Sequence, residues 1–239
     1  KYQNIKKNYG DSYSLSDNAV YSLVLDKEGG VWSGTYFGGV NYYPKPYTPI
    51  KRYFPQVGQN SISGNAVREI EKDIYGNLWV GTEDAGLNKL DLKTGKFVSY
   101  SWVRNNGNLS YYNIHGLLPR ENKLWIGTFE HGLDIMDITT GKILKHYGTG
   151  EGESGLRSDF IFYIYETRSK DVYVLTASGI HKFQSETDSF KLVEGFPDIY
   201  LYTYLIEDHN GTLWAGTYWD GLYYYNPKTK KKGFYKYQN

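Results

Sequence analysis

The sequence predicts an all-β protein, a β-propeller made of four-stranded antiparallel blades, and three observations predict it. A short phrase recurs: Trp32, Trp79, Trp125 and Trp214 open WSGT, WVGT, WIGT and WAGT, and Tyr173 opens a degraded copy, YVLT. The steps between these five residues are 47, 46, 48 and 41, the length of one supersecondary unit that cannot bury its own face. The composition, with 26 Tyr, 27 Gly and a single Met, suits twisted sheet and tight turns. No stretch carries a helical hydrophobic period.

Each repeat reads in the same order. An Asn opens an apolar inner strand, as in NAVYSLVL from Asn18 and NAVREI from Asn65. A turn follows (KEGG, IYGN, ENK, HNGT), then the Trp strand, then a short loop closed by Gly and an apolar residue, as in Gly39-Val40, Gly86-Leu87 and Gly132-Leu133. A third, alternating strand reaches a turn such as KTGK or TTGK, and an outer strand (IKRYFP, FVSYSW, ILKHYG, FKLVEG, GFYKYQ) ends the unit. About five blades are predicted, at 14–60, 61–108, 109–154, 155–197 and 198–239, after an outer strand of a preceding blade and its linker at 1–13. Both ends of the chain offer the same outer strand. The pattern therefore reads as an arc of a larger propeller, with a closed five-bladed ring as the alternative.

Composition also excludes several functions. Lys and Arg number 27 against 26 Asp and Glu, a formal net charge of +1, which argues against a nucleic-acid partner or an anionic membrane surface. The absence of cysteine removes disulfides, thiol nucleophiles and thiolate metal sites. No apolar run approaches the roughly 18 residues that would span a bilayer. KYQNIKKNYG carries no signal-peptide core, so a targeting segment would lie outside this chain. No cofactor and no metal are expected.

The phrases DIYGNLWVGTEDAGL (73–87), DHNGTLWAGTYWDGL (208–222) and DKEGGVWSGTYFGGV (26–40) closely resemble the two-component regulator propeller repeat. The openings SLSDNAVYSL and SISGNAVREI fit the same family, and the resemblance covers essentially the whole chain. It implies the periplasmic, extracytoplasmic sensor of a hybrid two-component system of the Bacteroides type. In that family two seven-bladed propellers precede an immunoglobulin-like domain, a membrane helix and a cytoplasmic histidine kinase, and the ligands are oligosaccharides. The chain would then be a non-catalytic fragment of a receptor that signals as a homodimer, touching the membrane only through its other parts. The fourth repeat departs from the pattern, because TRSKDVY at 167–173 lacks the Asp…Gly turn.

Residues that repeat read as scaffold. Trp32, Trp79, Trp125 and Trp214 are expected to pack between sheets with their indole N–H groups satisfied locally. Asp26, Asp73 and Asp208 are expected to bond turn amides. The Gly and Thr of the repeated G-T, and the later Gly, read as backbone devices for bulges or positive φ.

Function is expected where the blades differ, on loops around one face of the channel. The loops after the Trp strands supply Tyr36, Phe37, Glu83, Asp84, Phe129, Glu130, His131, Ala177, Ser178, Tyr218, Trp219 and Asp220. Aromatic rings beside carboxylates and a His suit a sugar, whose C–H face stacks while its hydroxyls need polar partners. Trp219 lies outside the repeated slot and reads either as a stacking platform or as packing on a neighbouring loop. Trp102, the other unrepeated Trp, reads as edge cover. The approaches to the inner strands supply Arg68, His115, Arg157, Asp159 and Tyr202. Arg68 reads either as a channel-facing group for an acidic sugar or as a partner of Glu69 or Glu71.

Two other classes compete. A propeller lyase or hydrolase needs a placed acid–base pair, and of the five histidines only His115 and His131 share the candidate face. The sequence shows no closely spaced carboxylate–histidine cluster and no HExxH or phosphate-loop motif. A protein-interaction surface would draw on exposed aromatics such as Tyr223, Tyr224 and Tyr225 or the segment from Tyr47 to Pro55.

Overall fold

A computed structural model describes residues 4–11, 13–45, 51–100, 109–149 and 155–236, and the described residues form strands and turns with no helix. The chain divides into two compact units, residues 1–61 and 62–239.

The first unit holds one antiparallel sheet of β1 (Val20–Leu25), β2 (Val31–Thr35) and β3 (Val40–Tyr43), in that order. Residues 51–55 pair with no strand, and 46–50 lie outside the described residues, so the outer strand expected at IKRYFP is not seen. Pro44, Pro46, Pro49 and Pro55 stand in and around this stretch, and each lacks the N–H a ladder needs. Residues 4–8 likewise form no strand, contrary to the expectation for 1–13.

The second unit holds four sheets of four antiparallel strands. They are β4 (Val67–Lys72) to β7 (Phe97–Tyr100) through β5 (Leu78–Thr82) and β6 (Gly86–Leu90), and β8 (Ile114–Arg120) to β11 (Ile143–Tyr147) through β9 (Lys123–Thr128) and β10 (Leu133–Asp137). The next are β12 (Ile161–Glu166), β13 (Val172–Thr176), β14 (Gly179–Gln184) and β15 (Ser189–Leu192), and then β16 (Tyr202–Glu207), β17 (Leu213–Thr217), β18 (Leu222–Tyr225) and β19 (Lys232–Tyr235). Strand order follows chain order in each sheet, and the first strands pack in succession: β4 on β8, β8 on β12, β12 on β16. This is β-propeller architecture, with β4, β8, β12 and β16 innermost.

The repeated aromatic is what joins one sheet to the next. Trp79 clusters with Ile114, Leu117 and Leu124 of the following sheet, Trp125 with Ile161, Ile164 and Val172, and Tyr173 with Tyr202, Leu205 and Leu213. Trp79 is fully buried, whereas Trp214 is half-buried and Trp32, in the first unit, is 44% exposed, so the expected role is filled unevenly.

The Gly of W-x-G-T has a different reason from the one expected. A Cβ on Gly81 would lie 2.7 Å from Ile114 Cγ2, and one on Gly127 2.5 Å from Ile161 Cγ2. Neither has positive φ; each is a floor for the next inner strand. The later Gly does follow expectation, with φ of 84° at Gly86 and 70° at Gly132. The Thr between them closes the loop, Thr82 Oγ1 donating to Gly86 O at 2.8 Å and Thr128 Oγ1 to Gly132 O at 2.9 Å.

Candidate functional site

The expected bulge falls on the inner strands. Register slips between Val67 and Glu69, Ile114 and Gly116, Ile161 and Tyr163, and Tyr202 and Tyr204, and the first unit shows the same slip between Val20 and Ser22. The unpaired residues are Tyr21, Arg68, His115, Phe162 and Thr203. A bulge re-aims one side chain out of the ladder. A second feature fixes what that side chain meets. The residue after the Thr that ends each second strand donates its N–H to the residue two before the bulge: Glu83 to Ala66 O, Phe129 to Asn113 O, Ala177 to Phe160 O, Tyr218 to Leu201 O. Each loop after a Trp strand is thereby held against the start of its own inner strand.

The outcome in the second unit is one mixed cluster. Arg68 Nη1 lies 3.5 Å from Glu83 Oε1, and His115 Nε2 lies 3.6 Å from the same oxygen. The His115 ring sits 4.8 Å from Phe129, and Phe129 is 5.1 Å from Phe160 and 6.3 Å from Phe162. Arg68 thus pairs with Glu83 of its own loop rather than with Glu69 or Glu71. The fold also assembles a carboxylate–histidine neighbourhood that spacing along the chain did not suggest, and a second at Asp134 Oδ1 and His146 Nδ1, 2.7 Å apart. Burial, and then the charge of Arg68, push the His115 imidazole below its ordinary pKa, against the pull of Glu83. His115 is therefore neutral at pH 7, and its Nδ1 has no partner among the described residues.

Glu69 and Glu71 lie further along β4, where burial raises both carboxyls, Glu69 to about 7. Tyr163 and Tyr204, on β12 and β16, stack with centroids 4.6 Å apart.

Other expected residues divide. Tyr218 and Trp219 meet edge-to-face with centroids 4.4 Å apart, and Trp219 is 80% exposed among the described residues. His131 stacks on Tyr111 at 4.2 Å, and Glu130 is exposed beside it. In the first unit Tyr36 lies 5.2 Å from Tyr21 and 4.1 Å from Phe37.

Two carboxylates are scaffold instead. Asp84 accepts from the N–H groups of Asn65 (2.9 Å) and Ala66 (3.3 Å), bonds that hold its carboxyl below the usual range. Asp220 is held low by Lys236 at 2.7 Å and by the Tyr223 hydroxyl. Arg157 pairs with Asp198, Asp159 accepts from Thr149, and Tyr202 is buried with its hydroxyl on Pro197 O, so none of the three joins the cluster. Trp102 lies outside the described residues. Phe160 and Phe162 were missed by sequence reasoning. Aligning each repeat backward from its Trp or Tyr sets Tyr21, Arg68, Phe162 and Thr203 at one offset, a signal that singles out Phe162.

Three segments, residues 14–37, 61–84 and 195–219, match the family described as two component regulator propeller. No curated protein matches the chain. Among solved structures, the fold is similar to the extracellular domain of the hybrid two component system BT3049 from B. thetaiotaomicron. That likeness has a TM-score of 0.63 at 24% identity and covers 96% of this chain and 31% of that one. It is similar also to the extracellular domain of the one component system BT4673 from the same organism, with TM-score 0.61 at 21% identity, over 99% and 39% of the two chains. The chain therefore spans about a third of the length of these two domains. Virginiamycin B lyase from Staphylococcus aureus shares the architecture at TM-score 0.52 and 13% identity, over 92% of this chain and 71% of the enzyme.

Proposed function

We propose that this chain, which carries two-component regulator propeller repeats, is part of the extracytoplasmic, periplasmic sensor of a two-component receptor. It binds an oligosaccharide on the bulge-and-loop face and performs no chemistry itself. The observation that carries this reading is the juxtaposition of Phe129, Phe160 and Phe162 with the Arg68–Glu83 pair. The rings offer apolar faces for sugar C–H groups, while the ion pair, half exposed, offers donors and acceptors for hydroxyls. Trp219 and Tyr218 supply a second exposed platform on the last sheet.

In the full receptor, taken to be a homodimer, ligand shifts an equilibrium between two arrangements only by its differential affinity for them. The rigid sheets contribute geometry. The test is a glycan array probed with the chain and with Phe129→Ala. Retained oligosaccharides that Phe129→Ala no longer retains support the reading, and an array on which nothing is retained removes it.

A catalytic reading draws on one observation, the 3.6 Å approach of His115 to Glu83. Turnover of an array hit, lost in His115→Gln, would establish it in place of simple binding.

A further inference from the structure

In three repeats the indole N–H of the Trp donates to a carboxylate: Trp32 to Asp26 Oδ2 at 3.1 Å, Trp79 to Asp73 Oδ2 at 2.9 Å, and Trp214 to Asp208 Oδ2 at 3.0 Å. The Asp always follows the last ladder pair of the inner hairpin, which is Leu25 with Val31, Lys72 with Leu78, and Glu207 with Leu213. In the third repeat the corresponding pair is Pro119 with Leu124, and the next residue is Arg120. A guanidinium therefore stands in the chain position that elsewhere holds the acceptor.

The consequence is an unanswered donor. Trp125 is 4% exposed, no described residue accepts from its Nε1–H, and that nitrogen is not among the buried side-chain atoms left without a partner, so it is open to water. A carboxylate there would exchange a water on the indole N–H for a charge-assisted hydrogen bond. Trp125 lines a cleft of about 320 Å³ together with Arg120, Lys123, Lys145, Tyr147 and Phe183. Phe183 meets the Trp125 ring edge-on at 4.9 Å, which gives the cleft an aromatic wall.

The charges at the cleft favour an anion. Arg120 Nε reaches Glu166 Oε2 at 2.9 Å and its Nη2 donates to Lys170 O, which leaves one guanidinium edge uncommitted among the described residues. Of the two carboxylates that line the cleft, Asp188 is already engaged by Lys145 and the Tyr147 hydroxyl, and the other is Glu121, in the exposed turn. The turn from Arg120 to Lys123 precedes β9, whereas Phe129 follows it, so this cleft lies at the opposite end of the sheet from the bulge-and-loop face.

We infer that this cleft is a binding site for a small molecule bearing a carboxylate, which takes from Trp125 the hydrogen bond that Asp26, Asp73 and Asp208 take in their own repeats. The aromatic wall and the cleft's volume suit a compact body such as a sugar acid or a short organic acid. The shared chemistry is one carboxylate accepting from an indole N–H beside a guanidinium.

The experiment follows the indole N–H resonances of the ¹⁵N-labelled chain, with Trp125 assigned by its loss in Trp125→Phe. Sodium glucuronate, sodium acetate and glucose are titrated separately at matched ionic strength. The inference expects a saturable shift of the Trp125 resonance with glucuronate, none with glucose, and no movement of the Trp79 or Trp214 resonances. A response to acetate as well would identify the bare carboxylate as sufficient; a response to glucuronate alone would identify the sugar acid. Arg120→Gln, which leaves Trp125 and its packing in place, is expected to weaken glucuronate binding about tenfold. An unmoved Trp125 resonance, or an equal response to glucose, would overturn the inference. Neither outcome touches the glycan reading above, whose residues lie at the other end of the sheet.

Discussion

Trp79 Nε1 donates to Asp73 Oδ2 at 2.9 Å, and the other oxygen of the same carboxylate accepts from the N–H groups of Tyr75 and Asn77, each at 2.9 Å. One carboxylate thus shapes the turn and fixes the ring that the next sheet packs upon. Burial opposes its ionisation, but the bonds from Asn77 and Trp79 prevail and hold the carboxyl below its usual range. Asp73→Ala is expected to lower stability by about 2 kcal/mol, because a buried indole N–H loses its acceptor. Trp79→Ala, which opens a cavity against Ile114 and Leu117, is expected to cost about 3–5 kcal/mol. Urea unfolding midpoints measure both, and a smaller loss in Trp79→Ala than in Asp73→Ala would contradict the packing role.

Gly81 and Gly216 hold the same position in W-x-G-T but different surroundings. A Cβ on Gly81 would strike Ile114 at 2.7 Å, while one on Gly216 would meet only Thr203 Oγ1, at 3.8 Å. Gly81→Ala should destabilise by about 1–3 kcal/mol and Gly216→Ala should be nearly neutral in the same unfolding assay. Equal effects would mean that the Gly answers to the strand rather than to its neighbour.

His181 is fully buried at the position where Asn41 and Asn88 stand in the first two repeats. Burial lowers its pKa to about 4, against the opposing backbone bond at Gly179. The unfolded chain then binds a proton that the folded chain refuses between pH 6.5 and about 4. Stability is complete above that window and falls as pH drops through it, by up to about 1.4 kcal/mol per pH unit. His181→Asn should flatten the acid limb of a plot of unfolding midpoint against pH; an unchanged limb would assign it to other groups.

Glu69 acts in the opposite sense. Its pKa is raised by burial to about 7, so the folded chain holds a proton that the unfolded chain releases above about 4.5. Its contribution is present at low pH and declines as pH rises through 7. Glu69→Gln should be more stable than the parent chain above pH 7 and indistinguishable from it near pH 4, by the same midpoints.

The fold was legible because its signals repeat. Four Trp-x-Gly-Thr phrases and one degraded copy define sheets whose strands fall where the alternation places them, and Asp26, Asp73 and Asp208 bond their turns as residue type alone implies. The outer strand at IKRYFP was not, since four prolines outweigh its alternation. The site was legible only in part. Arg68, His115, Glu83 and Phe129 do converge, yet their convergence depends on a bulge, and a bulge leaves no mark in composition. Asp84 looked like a ligand group because it stands on a loop where the blades differ; two backbone N–H groups at the start of its own inner strand claim it. Phe160 and Phe162 stand out only once the fold sets Phe162 near His115 and both rings against Phe129.

The measurement closest to the central claim is the affinity of the chain for its best array oligosaccharide, compared with that of Phe129→Ala. Phe129 is half-buried at the centre of the cluster, so stability is read in parallel from the urea midpoint. Loss of a stacking ring is worth about 1–2 kcal/mol, which predicts affinity about tenfold weaker in a variant that remains folded. Undiminished affinity in folded Phe129→Ala would contradict the account and move recognition away from the bulge-and-loop face.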